Sequence, residues 1–343
     1  MRPALSMPRC SWAICVRLLV LLFVLAAVVA VARWGTRWSV PHAAATDAAY
    51  TLLFTWDGAT APGGSFDRPI GVAVAPSGDV YVTDARQRVV HLTPSGEVLG
   101  EWGREGEGFG EFSNPIGLAI GPDGAVYVSD YEQDRVQKFT AAGGFLTAFG
   151  GSGSGPGEFN GPAGLAVDEA GSIYVTDFYN HRVQRFRADG SFDGVIGQPG
   201  RVGAGALHYP TGVAITTDRV VIVADAYNYQ VQWFDPRGVP LRRAGYHLLW
   251  IWPWPVTSTA GFSVPTDAAV GPNNAIHVAD SGNRRVVMLS SEGAYLTEWR
   301  VPDADPAVYS PEHLAVSRDG TMVYATDLGR DRLLVLRATM PRD

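Results

Sequence analysis

The chain has 343 residues of which 46% are hydrophobic, enough for one sizeable core shared by a single domain. Its formal charge is −7, but residues 1–49 carry five arginines against Asp47 alone, leaving 22 basic and 33 acidic groups beyond them, a net −11. Such a balance argues against a nucleic-acid partner, which calls for a basic footprint, and the confinement of cysteine to Cys10 and Cys15 excludes disulfide support and thiol catalysis downstream.

The first predicted element is apolar. Leu18–Ala32 is uncharged, and Ser11–Val16 extends it past the single Arg17 to 22 residues, the length of a membrane span. Arg33, Trp34, Arg37 and Trp38 follow at once, as an interfacial belt does, and the best small-residue cleavage site, Ala43-Ala44-Ala45, lies well beyond the run. The expectation is an uncleaved signal anchor over residues 11–32, a cytoplasmic segment 1–10, a linker over 33–49 and a domain from 50 to 343 on the extracytoplasmic side. A cleaved signal is the alternative.

Tyr50–Trp56 (YTLLFTW) reads as a strand, and short strands then recur to the C-terminus. The clearest unit, residues 160–197, alternates apolar runs with turn chemistry: GLAV, then SIYVTD, RVQRF and SFDGVIG, separated by DEAG, FYNH and ADG. Four such strands cannot bury both faces of their own sheet, so copies must stack on one another. A proline precedes the first strand of every copy, as Pro69, Pro115, Pro162, Pro210, Pro265 and Pro311. An aspartate ends the second strand in step, as Asp84, Asp130, Asp177, Asp225, Asp280 and Asp327. Arg88, Arg135, Arg182, Arg285 and Arg332 follow in five copies, and Gln230 in the other. Six four-stranded units in register predict an all-β, six-bladed propeller. The last copy has only three strands of its own, so the strand at Tyr50–Trp56 is expected to complete it and close the ring.

Units such as NPIGLAIGPDGAVYVSDYEQDRVQKFTAAGGFLTAFG resemble the NHL repeat, most closely in blades 1 to 3. In blade 4, LRRAG stands where an apolar fourth strand is usual, and in blades 5 and 6 Asp267 and His313 stand where the repeat has glycine. The resemblance implies the propeller fold. It implies three kinds of function: a platform for protein or RNA, a sensor domain such as the extracellular part of bacterial receptor Ser/Thr kinases (here without the kinase), or the catalytic domain of peptide-amidating lyases.

Function in a propeller collects in the loops at the channel mouths. The six aspartates stand at one mouth, the top, where the plain expectation is that each takes hydrogen bonds from its own turn and pairs with the following arginine. Departures from the repeat are more informative. Tyr131, Phe178, Tyr179, Tyr227 and Tyr229 follow the aspartates of blades 2 to 4 only, with His208 and Tyr209 in the loop entering blade 4. A one-sided aromatic mouth suits stacking on sugar rings or burying apolar peptide side chains, and the competing expectation is that the rings cover blade edges. Between blades 4 and 5, YHLLWIWPWPV places Trp250, Trp252 and Trp254 on one side of an extended segment, expected as a ligand lid, a membrane contact, or a cover for the seam. Asp267, Glu312 and His313 enter the first strands of blades 5 and 6, with His181 or His208 as histidines that could join them across the mouth. The amidating lyases carry His and Asp in corresponding segments, and VPTDAAV resembles one of them. These residues together predict a binding module for a protein, peptide or glycan, with no catalytic residue, metal or cofactor assigned. The alternative is a metal-dependent lyase or lactonase-like enzyme at the channel mouth.

Overall fold

The computed structural model describes residues 49–245, 261–302, 308 and 310–339. The expected membrane segment 11–32 and the loop with Trp250, Trp252 and Trp254 lie outside them. Among the described residues no helix is long and apolar enough to cross a membrane.

The chain forms six antiparallel four-stranded sheets. In blade 3 the strands are Pro162–Val167, Ile173–Asp177, Arg182–Phe186 and Phe192–Ile196, paired in that order. Second strands are buried on both faces, because each sheet is sandwiched between neighbours. In blade 1, Val80 and Val82 pack with Leu333 and Val335 of blade 6, while Tyr81 between them packs with Leu118 and Val128 of blade 2. The period-2 alternation therefore divides each strand between two seams. Connecting loops are pinned by an apolar residue three positions before the repeat proline; Phe66, Phe112, Phe159, Leu207 and Phe262 are all buried there.

Closure is as the ends of the chain predict. Ala49–Trp56 pairs antiparallel with Arg332–Thr339 and becomes the outer strand of blade 6, with Ala49 opposite Thr339 and Trp56 opposite Leu333. The Tyr50 hydroxyl reaches blade 5 and bonds Nδ1 of His277 at 2.6 Å. Burial pushes the His277 imidazole down to about 4, so the ring is neutral at physiological pH. Blade 4 keeps four strands as expected, its charged segment included: Pro240–Ala244 pairs with Gln230–Phe234 as the fourth strand. Outer strands bury little, so arginines are tolerated, and Arg242 bonds Glu292 of blade 5.

Blades are joined around the channel by hydroxyl groups. The Thr176 hydroxyl accepts from Gly164 N–H at 2.7 Å and donates to the Thr211 carbonyl of the next blade at 2.9 Å. Thr83, Ser129 and Thr326 repeat this, donating to Ile116, Ala163 and Ile70. In blades 4 and 5 that position is Ala224 or Ala279, and a first-strand threonine takes over: Thr211 donates to Pro265 and Thr266 to Glu312. Glycine in the first strands follows from this proximity, since a Cβ at Gly71 would lie 2.1 Å from the Ile116 carbonyl oxygen.

Two outcomes check the closure. Thr176→Val leaves a buried N–H and carbonyl unpaired and should cost about 1–3 kcal/mol, seen as a lower urea midpoint at unchanged m-value. A chain lacking residues 49–56 should lose cooperative unfolding altogether.

Candidate functional site

The ring of aspartates is structural. Asp84, Asp177, Asp280 and Asp327 are buried and pair with Arg88, Arg182, Arg285 and Arg332 at 2.7–3.0 Å. Asp225 takes Gln230, Asn228 and Gln232 instead, at 2.8–2.9 Å. Blade 2 departs from the expected pairing. Asp130 accepts from the backbone N–H groups of Ser113 and Asn114, while Arg135 donates to the carbonyls of Gly108 and Glu111. In each case the carboxylate holds the loop before the first strand to the turn after the second.

That linkage gathers the aromatic residues of blades 2 to 4. Backbone bonds from Tyr131 to Asn114, Tyr179 to Asn160 and Tyr227 to His208 tie the two loops of each blade together. Tyr131, Phe178, Tyr179, His181, His208, Tyr209 and Tyr227 then form one continuous cluster. Phe178 touches Tyr131, Tyr179, Tyr209 and Tyr227 at centroid distances of 6.0, 5.0, 4.9 and 6.4 Å. Gly161 makes room for it, because a Cβ there would lie 2.8 Å from the Tyr131 ring. Half the cluster packs inward, yet Tyr179, Tyr227 and the neighbouring Tyr229 remain 49%, 45% and 42% exposed. Burial raises the Tyr131 phenol well above its ordinary range, with a hydrogen bond to Tyr179 adding to the shift.

His181 and His208 do not cross the mouth to the channel residues; they stack on each other at 5.2 Å and 11°. The backbone N–H of Tyr209 donates to Nδ1 of His181 at 3.0 Å, which leaves Nε2 as the protonated nitrogen. Burial lowers both imidazole pKa values, and the Arg201 guanidinium lowers them further. The histidines are thus neutral members of an aromatic surface.

Asp267, Glu312 and His313 do come together, in the channel. Oδ2 of Asp267 stands 3.4 Å from Nδ1 of His313 and accepts the Leu314 N–H at 2.9 Å. Asp267 and His313 are buried and Glu312 half-buried. The Thr266 hydroxyl holds the Glu312 carbonyl, and Ser281 bonds the Pro311 carbonyl beside it. Burial pushes the Glu312 carboxyl up to about 7, with His313 opposing the shift and Asp267 adding to it. Burial works against the imidazolium of His313, but Asp267, by charge and hydrogen bond, and Glu312 outweigh it and raise its pKa. Among the described residues no group of three or more His, Cys, Asp or Glu side chains is placed to hold a metal ion.

The chain is a six-bladed β-propeller with four NHL repeats. The family model for the NHL repeat matches residues 66–89, 112–139, 159–186 and 207–234, which fall in blades 1 to 4. No curated protein matches the sequence. Among solved structures, a gluconolactonase from Xanthomonas campestris is 18% identical, with a TM-score of 0.60 over 87% of this chain and 93% of that one. A streptogramin B lyase is 15% identical, with a TM-score of 0.57 over 87% of this chain and 100% of that one. Virginiamycin B lyase from Staphylococcus aureus is 13% identical, with a TM-score of 0.54 over 84% and 99%. At such identities the likeness shows the fold alone.

Glu312 allows a check on the channel. Its folded pKa is raised from 4.5 to about 7, so its contribution is fully present below pH 4.5 and is lost as pH rises through 7. Glu312→Gln should therefore be more stable than the wild type at pH 8, by on the order of 3 kcal/mol, and the gap should close by pH 4.5 in parallel denaturation series.

Proposed function

We propose that the propeller is a binding module, held at the outer face of a membrane by residues 11–32, and that a protein, peptide or glycan ligand meets the aromatic mouth of blades 2 to 4. The carrying observation is an asymmetry. The same turn bears exposed tyrosines in blades 3 and 4 and Ala85, Ser281 or Leu328 in blades 1, 5 and 6, although the framework beneath is the same. Packing the framework does not require three tyrosines to stay 42–49% exposed, whereas a ligand does. Tyrosine supplies apolar area at low entropic cost together with a hydroxyl that can bond a sugar or a peptide group. In this reading Trp250, Trp252 and Trp254 form the rim of the mouth.

A second reading is favoured by the channel cluster. Glu312 changes protonation near neutrality beside His313 and Asp267, which is the property of a general acid–base group. A lyase or lactonase-like reaction would use Glu312 to move the proton and His313 to steady the charge. The metal-dependent form of this reading lacks a ligand set among the described residues.

The full-length chain in detergent, screened on peptide and glycan arrays, separates the readings. Tyr179→Ala and Tyr227→Ala should each weaken the retained ligand about tenfold or more with little change in Tm, since both side chains are exposed. Wild-type affinity in both variants would sink the aromatic-mouth proposal.

A further inference from the structure

At the opposite end of the propeller, the seam between blades 1 and 2 holds a cleft of about 640 Å³. Its origin lies in one position of the repeat. The fourth residue of each third strand points into the seam with the following blade. That residue is Lys138 in blade 2, Arg185 in blade 3, Trp233 in blade 4 and Met288 in blade 5. Blade 2 fills its seam with its own ammonium group: Nζ of Lys138 lies 5.1 Å over the Tyr127 ring and 2.9 Å from Oδ2 of Asp123. In blade 3, Arg185 bonds Asp193 at 2.6 Å and the Pro236 carbonyl. In both blades a long cation from the third strand closes the seam against a carboxylate.

Blade 1 keeps the tyrosine of this arrangement without the cation, and its carboxylate, Asp79, stands at the position of Ala125 while Ser77 replaces Asp123. Tyr81 stands at the position of Tyr127, but the third strand supplies the shorter His91, stacked on Tyr81 at 4.3 Å and 11°. Opposite His91 in the ladder is Gly100, where an added Cβ would meet nothing within 4 Å. Nε2 of His91 faces Oδ2 of Asp79 at 3.2 Å; an ionised carboxylate only accepts, so Nε2 carries a proton, and in the neutral tautomer Nδ1 is an acceptor. The Tyr81 hydroxyl donates to the Ala141 carbonyl at 3.3 Å. Apart from the indole N–H of Trp102, which is buried without a partner, the polar atoms left at the floor are acceptors beside aromatic rings, with the half-exposed Leu99 and the ring of Trp102 as apolar walls. Lys138, the only lysine of the chain, is held by Asp123 on the far wall.

We propose that this cleft binds an alkylammonium group, the head at Asp79, His91 and Tyr81 and the aliphatic stem along Leu99 and Trp102, as blade 2 binds its own Lys138. Acceptors over aromatic rings select a desolvated cation with N–H donors and reject neutral or anionic ends. A lysine side chain of a peptide and a free alkylamine share this chemistry.

Calorimetric titration of the full-length chain in detergent tests it with three probes: Nα-acetyl-lysine methylamide, its Nε-acetylated neutral form, and n-butylammonium. The charged lysyl probe should bind at least about tenfold tighter than the neutral one. A lysyl probe tighter than butylammonium assigns the site to peptides, and equal affinities assign it to free amines. His91→Lys, which rebuilds the arrangement of blade 2, should abolish binding with Tm at or above that of the wild type, and Tyr179→Ala at the other mouth should leave it unchanged. Asp79→Asn should weaken binding at least about fivefold and carries the test if His91→Lys does not fold. Equal binding of charged and neutral probes, no binding by the wild type, or undiminished binding by both cleft variants would overturn the proposal.

Discussion

The ring depends on a small joint: at least one hydroxyl per blade that donates to a carbonyl of the next blade, close to the channel. A single bond of this kind contributes about 1 kcal/mol net, but an unpaired carbonyl or N–H buried there costs more than the bond returns. The joint also sets how near the blades stand. First strands approach so closely that glycine is needed at Gly71, Gly117 and Gly164, where any Cβ would collide with backbone of the next blade. Blades 5 and 6 carry Asp267 and His313 at this crowded position. There Asp267 takes the Leu314 N–H and faces His313. The channel cluster is a consequence of the joint being modified in two adjacent blades.

Titration divides the interior in opposite senses. His277 is buried neutral, so its contribution is complete above pH 6.5 and fades as pH falls toward about 4. Glu312 behaves inversely, contributing most in acid. The two groups sit in neighbouring blades, and each is held by an element that closes the ring: Tyr50 of the N-terminal strand bonds His277, and Thr266 bonds the Glu312 carbonyl. These two buried titrations therefore pull stability in opposite directions as pH changes.

The two ends of the seams carry different chemistry for a geometric reason. At the top, carboxylates turn inward to hold the loops, which leaves the next residues free to differ, and only blades 2 to 4 place rings there. At the bottom, the third-strand side chains Lys138, Arg185, Trp233 and Met288 close four seams, and His91 leaves the first one open. A constant framework with variable ends lets one fold present several unrelated surfaces.

The sequence by itself determined the blade count, the strand pattern and the closing strand, because proline, aspartate and period-2 alternation are local signals repeated in register six times. It also located the one-sided aromatic mouth, since departures from a repeat are visible against it. Other features were decided only by tertiary structure. Arg135 leaves Asp130 for the carbonyls of Gly108 and Glu111, and His181 stacks on His208 rather than joining His313. The hydroxyl joint passing from Thr176 to Thr211 across blades is equally invisible along the chain, and so is the cleft beside His91. Each of these depends on contacts between residues some 25 to 60 positions apart, where the ring sets the distance and local pattern carries no record of it.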